Sequence, residues 1–169
     1  KIKVDSMRII WDKHRYLGQA PMALENLCTI FEGSWGQAIA EFNAANSVRR
    51  SQGVKEALGM QSSLNNVLGD VMSRAGWAGS DGRFSEGESW IRFSFRHSMS
   101  QGSDFFDAQK QLHGEGFNCV GLIYAPNQIL TRISPRDGNS LCSFERASLE
   151  MREMEEMFPH LPIWLGRLT

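Results

Sequence analysis

The side chains able to do chemistry in this sequence are scattered rather than paired. Histidines fall at His14, His97, His113 and His160, with neither HxxxH nor HxH spacing, so local structure sets no two of them to grip one metal ion. Cys28, Cys119 and Cys142 are odd in number, far apart and without a CxxC or Cys/His pairing. They suit reduced, mostly core thiols of an intracellular protein better than zinc ligands or a disulfide framework. There is no Gly-x-Ser-x-Gly elbow to present a serine nucleophile, no P-loop, and no Gly-x-Gly-x-x-Gly turn to cradle a phosphate. The densest carboxylate run, Glu145, Glu150, Glu153, Glu155 and Glu156, is interleaved with Arg146 and Arg152. That is the pattern of a solvated helix face with local ion pairs, not of a metal site.

Whatever chemistry exists must therefore be assembled by the fold. A chain of 169 residues is long enough for one hydrophobic core and too short for two comfortable ones, which predicts a single domain over 1–169. Apolar residues at 41% and charged residues at 22% are ordinary for a globular protein and exclude a disordered or collagen-like chain. The formal net charge is -1, with 18 Lys plus Arg against 19 Asp plus Glu. Nucleic acid would then have to be met by a local basic patch rather than by overall charge. No apolar run approaches the roughly 20 residues of a membrane span, and no basic-then-apolar leader opens the chain. A cytoplasmic protein with no membrane partner is the expectation, and the start at Lys1 rather than Met suggests sequence upstream.

The hydrophobic pattern predicts the elements. Lys1 to Trp11 suits a short edge strand or an ordered lead-in. From Pro21 to about Ala45, apolar residues recur at helical spacing with Gly33 and Gly36 as breaks, giving one interrupted helix or two short ones. Val54 to Gly76 reads as the clearest helix, with Leu58, Leu64, Val67, Leu68, Val71 and Met72 on one face and Gly76 as C-cap. Turn formers between Gly79 and Ser89 surround Phe84, and the alternating Trp90–Phe95 follows, predicting a hairpin whose second strand is half buried. Phe105 to Leu112 fits a helix, with Asp104 favourably near its positive end. Phe117 to Ala125 reads as a buried central strand stopped by Pro126. Phe144 to Phe158 is an acidic amphipathic helix, and Pro162 to Leu168 a final strand. Together these predict an α/β or α+β arrangement, a mixed sheet flanked by helices.

The order of these elements carries a resemblance. Leu64-Asn65 lies in a helix ending Gly76-Trp77, and the hairpin strand Ile91-Arg92-Phe93-Ser94-Phe95 follows. Asp104 opens the next helix, Val120-Gly121-Leu122-Ile123 forms the buried strand, Phe144-Glu145 opens another helix, and Pro162-Ile163-Trp164-Leu165-Gly166 closes the chain. From Val54 onward this resembles the catalytic half of type II restriction endonucleases of the BglII and BstYI kind, within the PD-(D/E)xK nuclease fold. The resemblance covers roughly two thirds of the chain and implies a restriction-endonuclease-like mixed central sheet. It also implies a homodimer acting on palindromic double-stranded DNA.

The departures from that family decide the expected activity. Its carboxylates, one on each hairpin strand, hold a divalent cation that activates water and stabilises charge on the scissile phosphate. In the alignment that the resemblance implies, those positions hold Arg83 and Arg92, the family's Gln is Ser94, and Asn65 is matched. A guanidinium has only donors and stays protonated, so it cannot ligate a hard cation. It can hold phosphate oxygens directly. The expectation is a pseudo-nuclease with no metal or other cofactor, binding DNA through Arg83, Arg92, Ser94, Arg96 and His97 without cutting it. A plainer reading makes Arg83 and Arg92 exposed hairpin residues paired with Glu86 or Glu88. Two other functions compete with DNA binding alone. One is an Mg²⁺-dependent endonuclease with a rearranged site using Asp81, Glu56 or Asp70, and the other is a protein-interaction subunit that kept the fold.

Overall fold

The computed structural model describes residues 6–12, 18–158 and 162–169. The first five residues of the expected lead-in strand, His14 and His160 lie outside the described residues. Six strands, β1 (Ile9–Trp11), β2 (Ala78–Ser80), β3 (Arg83–Glu86), β4 (Ser89–Ser94), β5 (Cys119–Tyr124) and β6 (Ile163–Leu168), form one sheet in the order β1-β6-β5-β4-β3-β2. β4, β5 and β6 are parallel, while β1 runs antiparallel to β6 and the β2-β3-β4 meander is antiparallel. The flanking helices are α1 (Met22–Glu25), α2 (Ser34–Ser51), α3 (Gln61–Arg74), α4 (Gln101–His113), α5 (Asn127–Ile133) and α6 (Phe144–Met157). This is the mixed α/β architecture expected. β4 and β5 are parallel neighbours joined through α4, because a parallel pair needs a long crossover connection. No helix among the described residues is long and apolar enough to cross a membrane.

Alternation along β4 gives the sheet its two faces. Ile91 and Phe93 point to one side, where they join Phe84, Leu64, Leu68 and Met72 in the larger core beneath α1, α2 and α3. Trp90 points to the other, with Val120, Leu122, Tyr124, Phe105 and Ala147 beneath α4 and α6. Every residue of β4 is buried, which corrects the half-buried strand expected. The period-2 pattern was present, but a helix layer on each face covers the polar positions too. The edge at β1 closes on glycines. A Cβ on Gly121 or Gly166 would come within 3.0 or 2.9 Å of the Trp11 ring, so the indole occupies the room they leave, and its Nε1–H donates to the Leu24 carbonyl at 2.8 Å.

One expectation about helices needs correction and two are extended. The helix expected from Val54 begins only at Gln61, because the backbone before it is held by other partners. The Asn46 side chain accepts from the Ala57 N–H at 2.8 Å and donates to its carbonyl at 3.1 Å, and Met60 N–H donates to the Ile133 carbonyl at 2.8 Å. Leu58 is accordingly exposed rather than part of the buried helix face. The Pro21–Ala45 pattern resolves into two helices, split where Gly33 takes a left-handed φ of 79°; α2 then runs on to Ser51. Pro126 follows the end of β5 as expected and is also the N-cap of α5, a helix the hydrophobic pattern did not predict; its carbonyl accepts the first helical N–H bonds, from Ile129 and Leu130.

Leu68 is buried in the larger core, so Leu68→Ala should lower stability by about 2–5 kcal/mol, the range for deleting a large core side chain. Chemical denaturation followed by tryptophan fluorescence checks this, and a negligible shift would contradict the packing of α3.

Candidate functional site

Arg83 and Arg92 are direct cross-strand partners on β3 and β4, so both project from the sheet face covered by α4. Two aspartates on that helix meet them. Asp107 Oδ2 lies 3.0 Å from Arg92 Nη1 and 3.4 Å from Arg83 Nε. Asp104, one turn earlier and 0% exposed, faces Arg92 Nε and Arg96 Nη1 with Oδ1, at 3.3 and 3.2 Å. Its Oδ2 accepts from the Ser94 hydroxyl at 2.6 Å and the Tyr124 hydroxyl at 3.2 Å. The Nε–H of Arg92 has no hydrogen-bond acceptor, so its approach to Asp104 is electrostatic. The partners of the two arginines are thus aspartates of α4 rather than Glu86 or Glu88, which corrects the plainer reading.

The local sequence explains the assembly. Helical spacing turns Asp104 inward with Phe105 and Ala108, while Asp107 sits on the helix flank toward β3, half buried. Strand spacing sends Arg92 and Ser94 to the same face, and Tyr124, the Cα partner of Ser94 on β5, brings its hydroxyl to the same carboxylate. Burial pushes the Arg92 pKa down, opposed first by the charge of Asp104 and reinforced by neighbouring Arg83 and Arg96. It nevertheless stays charged, since a guanidinium is not deprotonated in proteins. Burial and then the Asp104 charge push the Tyr124 phenol well above its ordinary value. The same two causes, in that order, take the nearby Cys142 thiol up to about 12, so this cysteine is an inert core thiol.

Three guanidinium groups against two carboxylates leave the cluster with one net positive charge. It is divided by depth. Arg92 is 4% exposed and Ser94 is fully buried; both are committed inward. The side chains of Arg83 and Arg96 are 54% and 41% exposed and keep unpaired N–H donors toward solvent. His97 is exposed and caps a short 3-10 turn, its Nδ1 accepting from the Met99 N–H at 3.2 Å. Asn65 belongs to α3, which packs on the opposite face of the sheet, so it stands apart from these residues. Asp104 and Asp107 were not expected as site residues. Their signal was an Asp-x-x-Asp pair on the helix following an arginine-bearing strand.

A divalent cation does not fit this arrangement. The strand positions supply donors instead of oxygen ligands, and both aspartates are occupied by guanidinium groups. Asp81, Glu86, Glu88 and Asp70 are exposed and Glu56 pairs with Arg50. Among the described residues no group of three or more His, Cys, Asp or Glu side chains is placed to hold a metal.

A parallel three-strand centre extended by an antiparallel meander, with helices on both faces, makes this a restriction-endonuclease-like fold. The chain is similar to the crystal structure of free BglII, with a TM-score of 0.50 and 14% identity over 96% of this chain and 79% of that one. A second similarity, to restriction endonuclease BglII complexed with a DNA 16-mer, has a TM-score of 0.48 and 14% identity. It covers 61% of this chain and about half, 52%, of that one. No protein-family model and no curated protein matches the chain.

Removing one member of a buried ion cluster strands the others, which costs about 3–5 kcal/mol. Asp104→Ala should destabilise the protein on that scale, whereas Glu56→Ala, which touches only the exposed Arg50 pair, should leave the unfolding midpoint nearly unmoved. Parallel urea melts of the two variants test the contrast; equal midpoints would refute Asp104 as the organising residue.

Proposed function

We propose that this chain binds double-stranded DNA without cutting it, a pseudo-nuclease that works as a homodimer. The observation that supports this reading is the charge of the site: guanidinium groups on both hairpin strands and a net positive cluster, at positions that the sequence resemblance assigns to the family's carboxylates. Arg83 and Arg96 are the outward donors for phosphate oxygens, and His97 flanks them. Arg92 and Ser94 serve from beneath, holding Asp107 and Asp104 and through them the outer arginines. A fixed cation neutralises a phosphate but cannot lower the pKa of a water molecule as a bound metal does. Attraction without hydrolysis is the chemical consequence.

Gel shifts on duplex DNA at two salt concentrations should show binding that weakens steeply with salt, because each phosphate contact releases counterions. Arg83→Ala/Arg96→Ala should weaken binding and flatten the log-log salt slope by about one to two units, roughly one per lost contact. Supercoiled plasmid incubated with Mg²⁺ or Mn²⁺ should stay intact. Metal-dependent nicking would overturn the proposal, as would an unchanged salt slope in the double variant.

A further inference from the structure

The two oxygens of Asp104 divide its partners by kind. Oδ2 accepts from two hydroxyls, Ser94 of β4 at 2.6 Å and Tyr124 of β5 at 3.2 Å, both on side chains with no exposure. Oδ1 turns to the cations and accepts from Arg96 Nη1 at 3.2 Å. A carboxylate can swing about its Cβ–Cγ bond, and two donors on one oxygen remove that freedom. Pinning Oδ2 fixes where Oδ1 stands, and with it the guanidinium that Oδ1 holds. Burial and then the Asp104 charge hold the Tyr124 phenol protonated, so at neutral pH it remains a donor. Asp107 forms a second arm, accepting from Arg92 Nη1 at 3.0 Å and standing 3.4 Å from Arg83 Nε. Arg92 touches both arms, but its Nε makes no hydrogen bond to Asp104, whereas Arg96 does. The two outward guanidinium groups are thus held by different aspartates.

We infer that Tyr124 is a positioning residue for DNA binding, which orients Arg96 through Asp104 and leaves Arg83 to the Asp107 arm. The inference rests on the DNA-binding reading above and adds a buried residue that reaches no ligand itself. A half-exposed arginine has many rotamers to lose when it grips a phosphate, and an anchored one has fewer. Bonding to Asp104 through Nη1 also leaves Nε and Nη2 of Arg96 as donors. By position alone Tyr124 is one more member of a buried strand; its hydroxyl is what ties that strand to the surface cation. The competing role is purely structural, in which the hydroxyl only satisfies a buried carboxylate and both arms feel its loss alike.

The test is a double-mutant cycle on duplex DNA binding, read by fluorescence anisotropy at one salt concentration. Tyr124→Phe keeps the ring and removes the hydroxyl, and should weaken binding about two- to tenfold, the scale of one hydrogen bond. That factor should persist in an Arg83→Ala background and shrink towards one in an Arg96→Ala background. Ser94→Ala removes the other donor to the same oxygen and should repeat the pattern, which keeps the test open if Tyr124→Phe fails to fold. An equal factor in both backgrounds would overturn the inference and assign the hydroxyl a structural role. Wild-type affinity in Tyr124→Phe, with weaker binding by Arg96→Ala, would overturn it too. So would a loss on Arg83→Ala with none on Arg96→Ala. Absence of any salt-dependent binding by the wild type would overturn the DNA reading and this one together.

Discussion

A carboxylate with no solvent exposure must be compensated completely or the chain will not fold around it, and Asp104 is such a group. Its compensation draws on three elements at once: Ser94 and Arg92 from β4, Tyr124 from β5, and Arg96 from the segment leaving β4. The polar atoms thereby dock α4 across the β4–β5 seam at one register. Phe105 and Ala108 supply the apolar burial beside it, but apolar contacts alone tolerate sliding. The hydrogen-bonded carboxylate sets the position of α4 on the sheet, and with it that of Asp107.

From that anchor the charge pattern follows. Cations stand on the strands and anions on the helix, so the site carries its counter-charges within the protein. Breaking an internal pair costs much where water is excluded, because the remaining charge is stranded, and little where water reaches it. Arg92 is thus a fixture of the interior. Arg83, sharing Asp107 from a largely exposed position, exchanges partners at small cost. One cross-strand pair of identical residues is split by depth into a structural member and an available one.

Much of this was legible in the sequence because it depended on local period. The alternation of Trp90–Phe95, the largely apolar run from Phe117 to Ala125, the helix between them and the closing strand each carry their own signal, and the parallel β4–β5 pairing follows from their order. What was not legible depended on partners distant in the chain. Leu58 fits a helical face by spacing, yet Asn46 captures the backbone at Ala57 and keeps the segment extended. Pro126 follows a strand and, as N-cap, begins a helix that the hydrophobic pattern did not predict. Asp104 reads locally as a favourable first-turn acid, and only the return of β5 beside β4 shows that its main partners are a serine, a tyrosine and two arginines.

The same logic separates stability from recognition in the candidate site. Carboxylates set side by side on two strands would repel one another and be relieved by a cation taken from solution. Here the repulsion is between guanidinium groups and is relieved by aspartates supplied by the next helix, without any ligand. The folded state has therefore already gained most of the electrostatic energy available to Arg92. What is left over is one positive charge, expressed at Arg83 and Arg96 where water reaches. A cluster built this way spends Arg92 and Asp104 on the fold and leaves Arg83 and Arg96 at the surface, so whatever meets this face meets guanidinium donors and not carboxylate oxygens.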